Sequence, residues 1–242
     1  IWSATVKPIR TSGNYHVLHS FGYSEFSCDY NGIIAVQKVY IAKNDDVKFY
    51  DVTLKNAADA DRKIDLMFAL RPVLGDFDAY TSSAIGASKR GEAIVISNAA
   101  NGAEVSLLCS EKITGYSQYK EAFSDADGNV TKISGLKQEG TELFVSLTAS
   151  VALPRFGEKR VVFAVSTSRD AEFADCDYVL SSARRYYSSL SAVVPVRLDE
   201  KGALMKWLPY QTLCSRFFAR AGFYQAGGAY GFRDQLQDCL SL

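Results

Sequence analysis

Short stretches in which hydrophobic and polar residues alternate recur through the first two thirds of the chain. The clearest is Lys63–Leu70, where every second residue is hydrophobic; the hydrophobic face is formed by Ile64, Leu66, Phe68 and Leu70. Similar alternation occurs at 104–107 and 143–150. A period of two residues is typical of β-strands that bury one face. The pattern therefore predicts several strands of this kind.

Turn-forming dipeptides separate the alternating stretches. Asn31-Gly32 lies between Tyr23–Tyr30 and Ile33–Ala42, and this pair predicts a two-residue hairpin loop. Asn101-Gly102 and Asp127-Gly128-Asn129 predict two more turns. Many short strands without helices between them favour an antiparallel sandwich over a parallel sheet. We therefore predict a mainly β fold, with an antiparallel β-sandwich domain over residues 1–168.

The pattern changes to helical spacing after the predicted sandwich. Asp170–Leu190 predicts a helix, and Ala192–Leu198 is a short connecting stretch rich in β-branched residues. Asp199 is suited to cap a second helix, with a kink or a fresh helix start expected at Pro209. We assign residues 169–198 to a linker helix and connector, and residues 199–242 to a helical region.

A third helical pattern begins close to the last residue of the chain. Phe232, Leu236, Cys239 and Leu240 repeat at the spacing of one helix face, and the chain stops at Leu242. Because this pattern is interrupted soon after it begins, we expect the sequence to be a piece cut from a longer protein.

Composition and charge exclude several classes of partner. Lys and Arg together number 27, as do Asp and Glu, so no net charge attracts nucleic acid or an anionic membrane. No apolar run approaches the roughly 18 residues of a membrane span. The five scattered cysteines contain no C-x-x-C pair, which indicates reduced thiols in a cytoplasmic protein and no zinc site.

Two other groups of residues contain side chains of the types that bind metal ions. His16 and His19 lie three apart on a predicted strand, so their side chains point to opposite faces and do not share an ion. Asp125–Asn129 lacks the spacing and the distal Glu of a calcium-binding loop, and we interpret it as an acidic turn. We predict no metal.

The densest polar group lies at the start of the third helical pattern. Arg233 and Gln237 are one helical turn apart, as are Asp234 and Asp238, and a glycine-rich loop precedes them. Carboxylate, guanidinium and amide groups together can bind the hydroxyls of a sugar. A solvated helix face with the same residue pairs is the alternative that the residues alone leave open.

Sequence motifs in this part of the chain resemble a known family. The segments Trp207–Gln211 and Ala221–Asp238 are similar to glycoside hydrolase family 94, and His19–Ser24 is similar to its first strands. The family holds the inverting β-glucoside phosphorylases and the phosphorylase-like region of cyclic β-1,2-glucan synthases. The resemblance implies a supersandwich-like β-sandwich, a linker helix and the first helices of an (α/α)6 barrel, here residues 199–242.

The resemblance also implies roles for individual residues. Asp234 would reach the sugar that donates its glycosyl group, and Arg233, Gln237 and Asp238 would support it. Members of the cellobiose type carry an Arg where this chain has Gly228, which favours the β-1,2-glucan branch. The resemblance assigns no catalytic residue to this chain, because it places the general acid and the phosphate ligands on later barrel loops.

The function implied is that of a carbohydrate-active enzyme. The parent protein is expected to phosphorolyse or transfer β-linked glucosyl units of an oligosaccharide, with inversion, with inorganic phosphate as co-substrate and without a cofactor. This piece is expected to be inactive alone, and its sandwich is expected to form subunit contacts in a homodimer. A self-standing, non-catalytic carbohydrate-binding sandwich and a purely structural interaction domain are the alternatives.

Overall fold

The computed structural model places most of the chain. It describes residues 1–75, 82–127, 129–133, 135, 140, 142–167, 173, 175–192, 202–214 and 240. Within these residues the protein is built from two antiparallel β-sheets and two α-helices. The predicted mainly β fold is therefore confirmed, whereas the predicted (α/α)6 barrel falls mostly outside the described residues.

Eleven strands are present in the described part of the chain. They are β1 (Asn14–Ser20), β2 (Tyr23–Tyr30), β3 (Ile33–Ile41), β4 (Val47–Asn56), β5 (Arg62–Leu70), β6 (Ile85–Arg90), β7 (Ala93–Asn98), β8 (Glu104–Cys109), β9 (Ile113–Tyr119), β10 (Leu143–Leu153) and β11 (Glu158–Ser166). The large sheet has eight strands in the order β1-β2-β3-β4-β11-β8-β7-β6, and the small sheet has three in the order β5-β10-β9. All pairs of neighbouring strands are antiparallel, as predicted.

The predicted hairpin turns are present. Asn31 and Gly32 connect β2 to β3 with φ angles of 52° and 70°. Two successive positive φ angles match the twist of the flanking strands, which explains the Asn-Gly pair. Gly102 also has a positive φ, and its N–H donates to the Asn98 carbonyl, closing the turn between β7 and β8. Asp125 N–H donates to the Asn129 carbonyl in the predicted acidic turn, whose Gly128 is outside the described residues.

A first hydrophobic core fills the space between the two sheets. The predicted hydrophobic face of β5 packs against it, and so does the face of β10 that carries Val145 and Leu147. Its buried members are Ile33, Ala35, Val52, Leu54, Ile85, Ile94, Ile96, Leu107, Ile113, Val145, Leu147, Val151, Leu153, Val161 and Phe163. Since burying a side chain of this size contributes about 2 kcal/mol, this core is the main stabilising element of the sandwich.

A second core lies on the opposite face of the large sheet, beneath a helix. Its buried members are Tyr40, Ala42, Val47, Phe49, Ala93, Val95, Leu108, Val162, Ala164 and Cys176. Strands β7 and β11 contribute to both cores, because Ile94 and Val161 face the small sheet while Val95 and Val162 face the helix. The molecule is therefore layered as small sheet, large sheet and helix.

The helices differ in detail from the sequence prediction. Helix α1 spans Cys176–Ala192, so the predicted start at Asp170 was wrong. Asp175 is in a turn, and Phe173, which is not helical, packs against the second core. Packing of the Phe173 side chain against the second core explains the later helix start. Residues 193–201, including the predicted cap Asp199, lie outside the described residues.

Helix α2 spans Gly202–Thr212 and continues through Pro209, so it does not start afresh there; the alternative expectation, a kink at Pro209, stays a prediction. Proline removes one backbone hydrogen bond from a helix interior. Pro209 is buried, and its neighbours Trp207 and Tyr210 contact Phe21 of the sandwich. These tertiary contacts offset the missing hydrogen bond and hold the helix together.

The domain boundaries at 168 and 198 stay predictions. The last strand ends at Ser166, two residues before the first of them. In the part of the chain that the structure describes, neither helix has the length and apolar character required to cross a membrane. Cys28, Cys109, Cys176 and Cys214 are free thiols, and Cys239 is outside the described residues.

Candidate functional site: the helix-bearing face of the large sheet

The residues predicted to bind sugar cannot be placed. Arg233, Asp234, Gln237 and Asp238 all lie outside the described residues, so their role stays a prediction. The structure does show how the sandwich holds the two helices that precede them in the chain. These contacts lie on the helix-bearing face of the large sheet, and two groups of polar and aromatic residues form them.

The first group is centred on a buried carboxylate. Asp51 is 4% exposed in the middle of β4, where its neighbours Phe49 and Val52 are also buried. A charged side chain is costly to bury unless it is paired and hydrogen-bonded. The partner of Asp51 is Arg160 of the adjacent strand β11, whose Nε donates to Oδ1 at 2.9 Å and whose Nη2 donates to Oδ2 at 2.6 Å.

The same guanidinium also reaches helix α1. Its Nη1 and Nη2 donate to the two carboxylate oxygens of Asp177, at 3.0 and 2.9 Å. Bidentate pairs of this kind are short and directional. Asp177 lies in the first turn of α1, where the helix dipole also favours a negative charge. Asp51, Arg160 and Asp177, here termed the arginine clamp, therefore join β4, β11 and α1.

A buried tyrosine completes the surroundings of the clamp. The Tyr40 hydroxyl lies 3.3 Å from Asp51 Oδ2 and 3.4 Å from the Cys176 carbonyl oxygen, to both of which it can donate. Its ring stacks on Phe49 at 5.3 Å between centroids. Burial, and then the charge of Asp51, raise the pKa of Tyr40, which stays a neutral donor.

The clamp is poorly suited to acid catalysis. Hydrogen bonds from Arg160 lower the pKa of Asp177, and the same guanidinium occupies both oxygens of Asp51. A carboxyl group with a lowered pKa is ionised near neutral pH and does not protonate a leaving group. The geometry supports a structural role, which is to fix the start of α1 on the sheet.

The second group, here termed the hairpin–helix contact, consists of Phe21, Gly22, Tyr187, Trp207 and Tyr210. Phe21 and Gly22 form the turn between β1 and β2. The Phe21 ring meets that of Tyr210 edge-on at 5.2 Å and lies 5.7 Å from that of Trp207. Tyr187 of α1 meets Tyr210 edge-on at 5.8 Å. Aromatic pairs at such distances contribute about 1 kcal/mol beyond their buried area.

A backbone hydrogen bond adds direction to the hairpin–helix contact. The Gly22 N–H donates to the Tyr210 hydroxyl oxygen at 3.1 Å. Burial raises the pKa of Tyr210 to about 12, so this hydroxyl is neutral at physiological pH. The turn of the first hairpin thus binds a side chain of α2, which follows the sandwich in the chain.

Two cation–π contacts hold α1 along its length. Arg184 lies over the ring of Tyr23 at 5.1 Å, and Lys43 lies over the ring of Tyr186 at 4.7 Å. Such contacts contribute about 0.5–1 kcal/mol at exposed sites. Neither contact was predicted from the sequence.

The arginine clamp and the hairpin–helix contact were also missed, although each left a signal in the sequence. Asp51 interrupts a hydrophobic strand, and an isolated charge in such a strand requires a buried partner. The Phe21-Gly22 pair lies between two strands, where glycine indicates a special backbone angle. Neither signal identifies the partner, which is distant in sequence.

The two histidines lie on β1, as expected. His19 Nδ1 is 2.9 Å from Ser24 Oγ, and its ring meets Phe26 edge-on, so His19 is a hydrogen-bonded structural residue. Among the residues that the structure describes, no three His, Cys, Asp or Glu side chains lie together as metal ligands would.

Comparisons with known proteins identify relatives over the whole chain. The cyclic β-(1,2)-glucan synthase NdvB of Rhizobium meliloti (strain 1021) is 25% identical over 261 residues, covering 96% of this chain and 9% of NdvB. The N,N'-diacetylchitobiose phosphorylase of Vibrio proteolyticus is 23% identical, covering 100% of this chain and 35% of that enzyme. The chain thus spans a minor part of the length of either relative.

A solved structure shares the fold. It is a human-microbiome protein assigned as a kojibiose phosphorylase, with 12% sequence identity and a TM-score of 0.50, covering 83% of this chain and 27% of that one. The family model described as "Glycosyl hydrolase 94, supersandwich domain" matches residues 1–178. This match covers the whole described sandwich and the start of α1, and it confirms the resemblance found in the sequence. The chain therefore belongs to glycosyl hydrolase family 94 and carries its supersandwich domain.

Proposed function

We propose that the chain is the supporting region of an inverting enzyme that phosphorolyses or transfers β-linked glucosyl units, with inorganic phosphate as nucleophile. The observation that carries this proposal is the match of the supersandwich domain over residues 1–178. The names of two relatives, a cyclic β-(1,2)-glucan synthase and a diacetylchitobiose phosphorylase, support a β-linked saccharide as the substrate. Gly228 favours a β-1,2-linked glucan within this class.

In this proposal the sandwich and the polar segment have separate roles. The sandwich holds α1 and α2 through the arginine clamp and the hairpin–helix contact. Asp234, which follows α2 in the chain, binds the donor sugar, with Arg233, Gln237 and Asp238 in support. A charged carboxylate that accepts hydrogen bonds from two sugar hydroxyls gives both affinity and orientation.

The proposed reaction requires only one acidic group from the protein. Inverting hydrolysis requires one carboxyl group to protonate the leaving oxygen and a second to activate water. In phosphorolysis the phosphate is already an anion and attacks the anomeric carbon directly, so one acid suffices. That acid and the phosphate ligands are proposed to belong to later barrel loops of the parent protein. The cytoplasmic location and a homodimer formed through the sandwich are parts of the same proposal.

Titration calorimetry of the 242-residue chain with β-1,2-linked gluco-oligosaccharides tests the sugar-binding part. We expect millimolar or tighter binding, and we expect Asp234→Ala to weaken it at least tenfold, about 1.4 kcal/mol, because charged hydrogen bonds are lost. Asp127→Ala is the matched control, since Asp127 is exposed in a turn and is expected to leave the affinity unchanged.

The same titration decides between this proposal and a self-standing carbohydrate-binding module. In a module of that kind the sugar would stack on exposed aromatic side chains of the sandwich, of which Phe156 is 64% exposed. Loss of binding in Phe156→Ala, with Asp234→Ala unaffected, would support the module and contradict our proposal. Absence of binding to the unaltered chain would also contradict it.

A turnover assay tests the assignment of the acid to another part of the parent protein. We expect the 242-residue chain to produce no glucose 1-phosphate from β-1,2-gluco-oligosaccharides and inorganic phosphate, because the proposed chemistry requires a proton donor. The measurement is sugar-phosphate formation over several hours at neutral pH. Formation above the level of a boiled sample would show that the chain carries its own acid.

A further inference from the structure

One glycine, in the turn between β1 and β2, contacts both helices. Gly22 has a φ of +79°, an angle that residues with a Cβ rarely adopt. A Cβ at this position would lie 2.8 Å from Tyr187 Cδ2 and 3.0 Å from the Ala183 carbonyl oxygen, both on α1. The Gly22 N–H meanwhile donates to the Tyr210 hydroxyl on α2. Any side chain here would separate the hairpin from the helices.

The contact links parts of the chain that are far apart in sequence. Gly22 and Tyr210 are separated by 188 positions, and Tyr210 lies in the helix that carries the chain away from the sandwich. The Phe21 and Tyr187 rings both meet the Tyr210 ring edge-on, which restricts the direction of its hydroxyl. The hydrogen bond from Gly22 and the contacts with these two rings are thus able to fix the orientation of α2.

We infer that Tyr210 is a positioning residue, whose hydroxyl, bound by the Gly22 N–H, fixes α2 on the sandwich so that sugar binds further along the chain. The inference rests on the proposed function, since it concerns the affinity for the same sugar. Tyr210 does not contact the sugar in this arrangement and acts through the helix. Preorganisation of this kind raises affinity by removing the cost of ordering the binding segment when ligand arrives.

Two variants and one matched control test the inference. Gly22→Ala introduces the Cβ, and Tyr210→Phe removes the hydroxyl while keeping the ring. Gly102→Ala is the control, because Gly102 has a φ of +73° but no atom within 4 Å of its added Cβ. Gly22→Ala and Gly102→Ala therefore both place a Cβ at a positive φ, and they differ in whether the new methyl group meets a helix.

Amide hydrogen exchange and calorimetry provide two independent measurements. In Gly22→Ala we expect exchange in residues 203–214 to become about tenfold faster and the affinity for β-1,2-gluco-oligosaccharide to fall about tenfold. In Tyr210→Phe we expect about fivefold changes in both the exchange rate and the affinity, because the hydrogen bond from Gly22 is lost. Exchange within β10, at the centre of the small sheet, is expected to stay unchanged in all three variants.

The outcomes separate this inference from the proposed function. Equal exchange of α2 amides in Gly22→Ala and Gly102→Ala would overturn the inference, as would faster exchange without any loss of affinity. If the unaltered chain binds no glucan, the proposed function fails, and with it the link from Tyr210 to sugar binding. The exchange rates then still decide whether Tyr210 fixes the helix. If Gly22→Ala does not fold, Tyr210→Phe alone decides by the same criteria.

Discussion

Replacing Leu147 by alanine is expected to lower the free energy of unfolding by about 3 kcal/mol, the largest effect among our stability predictions. Leu147 is fully buried at the centre of β10 and pairs with Phe68 on one side and Tyr116 on the other. Its side chain packs in the core between the two sheets. Because close-packed surroundings collapse incompletely around a shortened side chain, the loss includes a cavity cost. Urea unfolding followed by circular dichroism measures it.

Leu18→Ala is the matched control for this prediction. Leu18 is the same residue type on the edge strand β1, where it is 52% exposed. Its truncation removes little buried area and is expected to cost less than about 1 kcal/mol. If Leu147→Ala proves as mild as Leu18→Ala, then the small sheet does not form a close-packed layer against the large one.

The sandwich could be predicted from the sequence because its signals are local. The alternation in Lys63–Leu70 and the Asn31-Gly32 pair each specify a conformation through a few adjacent residues. Both predictions are confirmed, since β5 packs one face against the core and Asn31 and Gly32 have positive φ angles. Local periodicity and turn residues determine such elements independently of distant parts of the chain.

The third layer of the molecule was not predicted, although the sequence contains a sign of it. Val161–Val165 is a continuous hydrophobic run, which is typical of a strand buried on both faces. In the structure Val161 faces the small sheet and Val162 faces α1. The run alone does not reveal what covers the second face, because this depends on where the helix docks.

Tertiary packing also explains where α1 begins and why α2 is continuous. Phe173 is not helical and packs against the second core, and α1 begins at Cys176. Helix α2 continues through Pro209 because its aromatic neighbours are held by the first hairpin. Propensity and pattern are weak compared with the burial of large side chains, so these deviations could not be read from the sequence.

The candidate site was likewise predicted only in part from the sequence. The sugar-binding role of Asp234 came from resemblance to a family, since the polar residues alone also fit a solvated helix face. The arginine clamp depends on strand register, which places Asp51 opposite Val162 and so diagonal to Arg160. The pairing of β4 with β11 is a contact between distant parts of the chain, and nothing in either segment alone specifies it.

Replacing Arg160 by methionine is expected to lower the free energy of unfolding by about 2–3 kcal/mol. The variant leaves the carboxylate of Asp51, which is 4% exposed, with the weak hydrogen bond from Tyr40. An uncompensated buried charge costs about 3–5 kcal/mol, and the partial exposure of Arg160, 38%, reduces this figure. Asp177 also loses both of its hydrogen bonds, so faster amide exchange is expected at the start of α1. Urea unfolding and hydrogen exchange measure the two effects.

Two further variants distinguish the stability cost of an unpaired buried charge from the cost of losing an ion pair. Arg155→Met breaks the contact of Arg155 with Asp59, in which both side chains are about 70% exposed, and is expected to change stability by less than about 0.5 kcal/mol. Adding Asp51→Asn to Arg160→Met removes the unpaired charge and is expected to recover about half of the loss. An Arg160→Met variant as stable as Arg155→Met would contradict the assignment of the clamp. A double variant no more stable than Arg160→Met would show that the helix contact through Asp177, rather than the charge of Asp51, accounts for the effect.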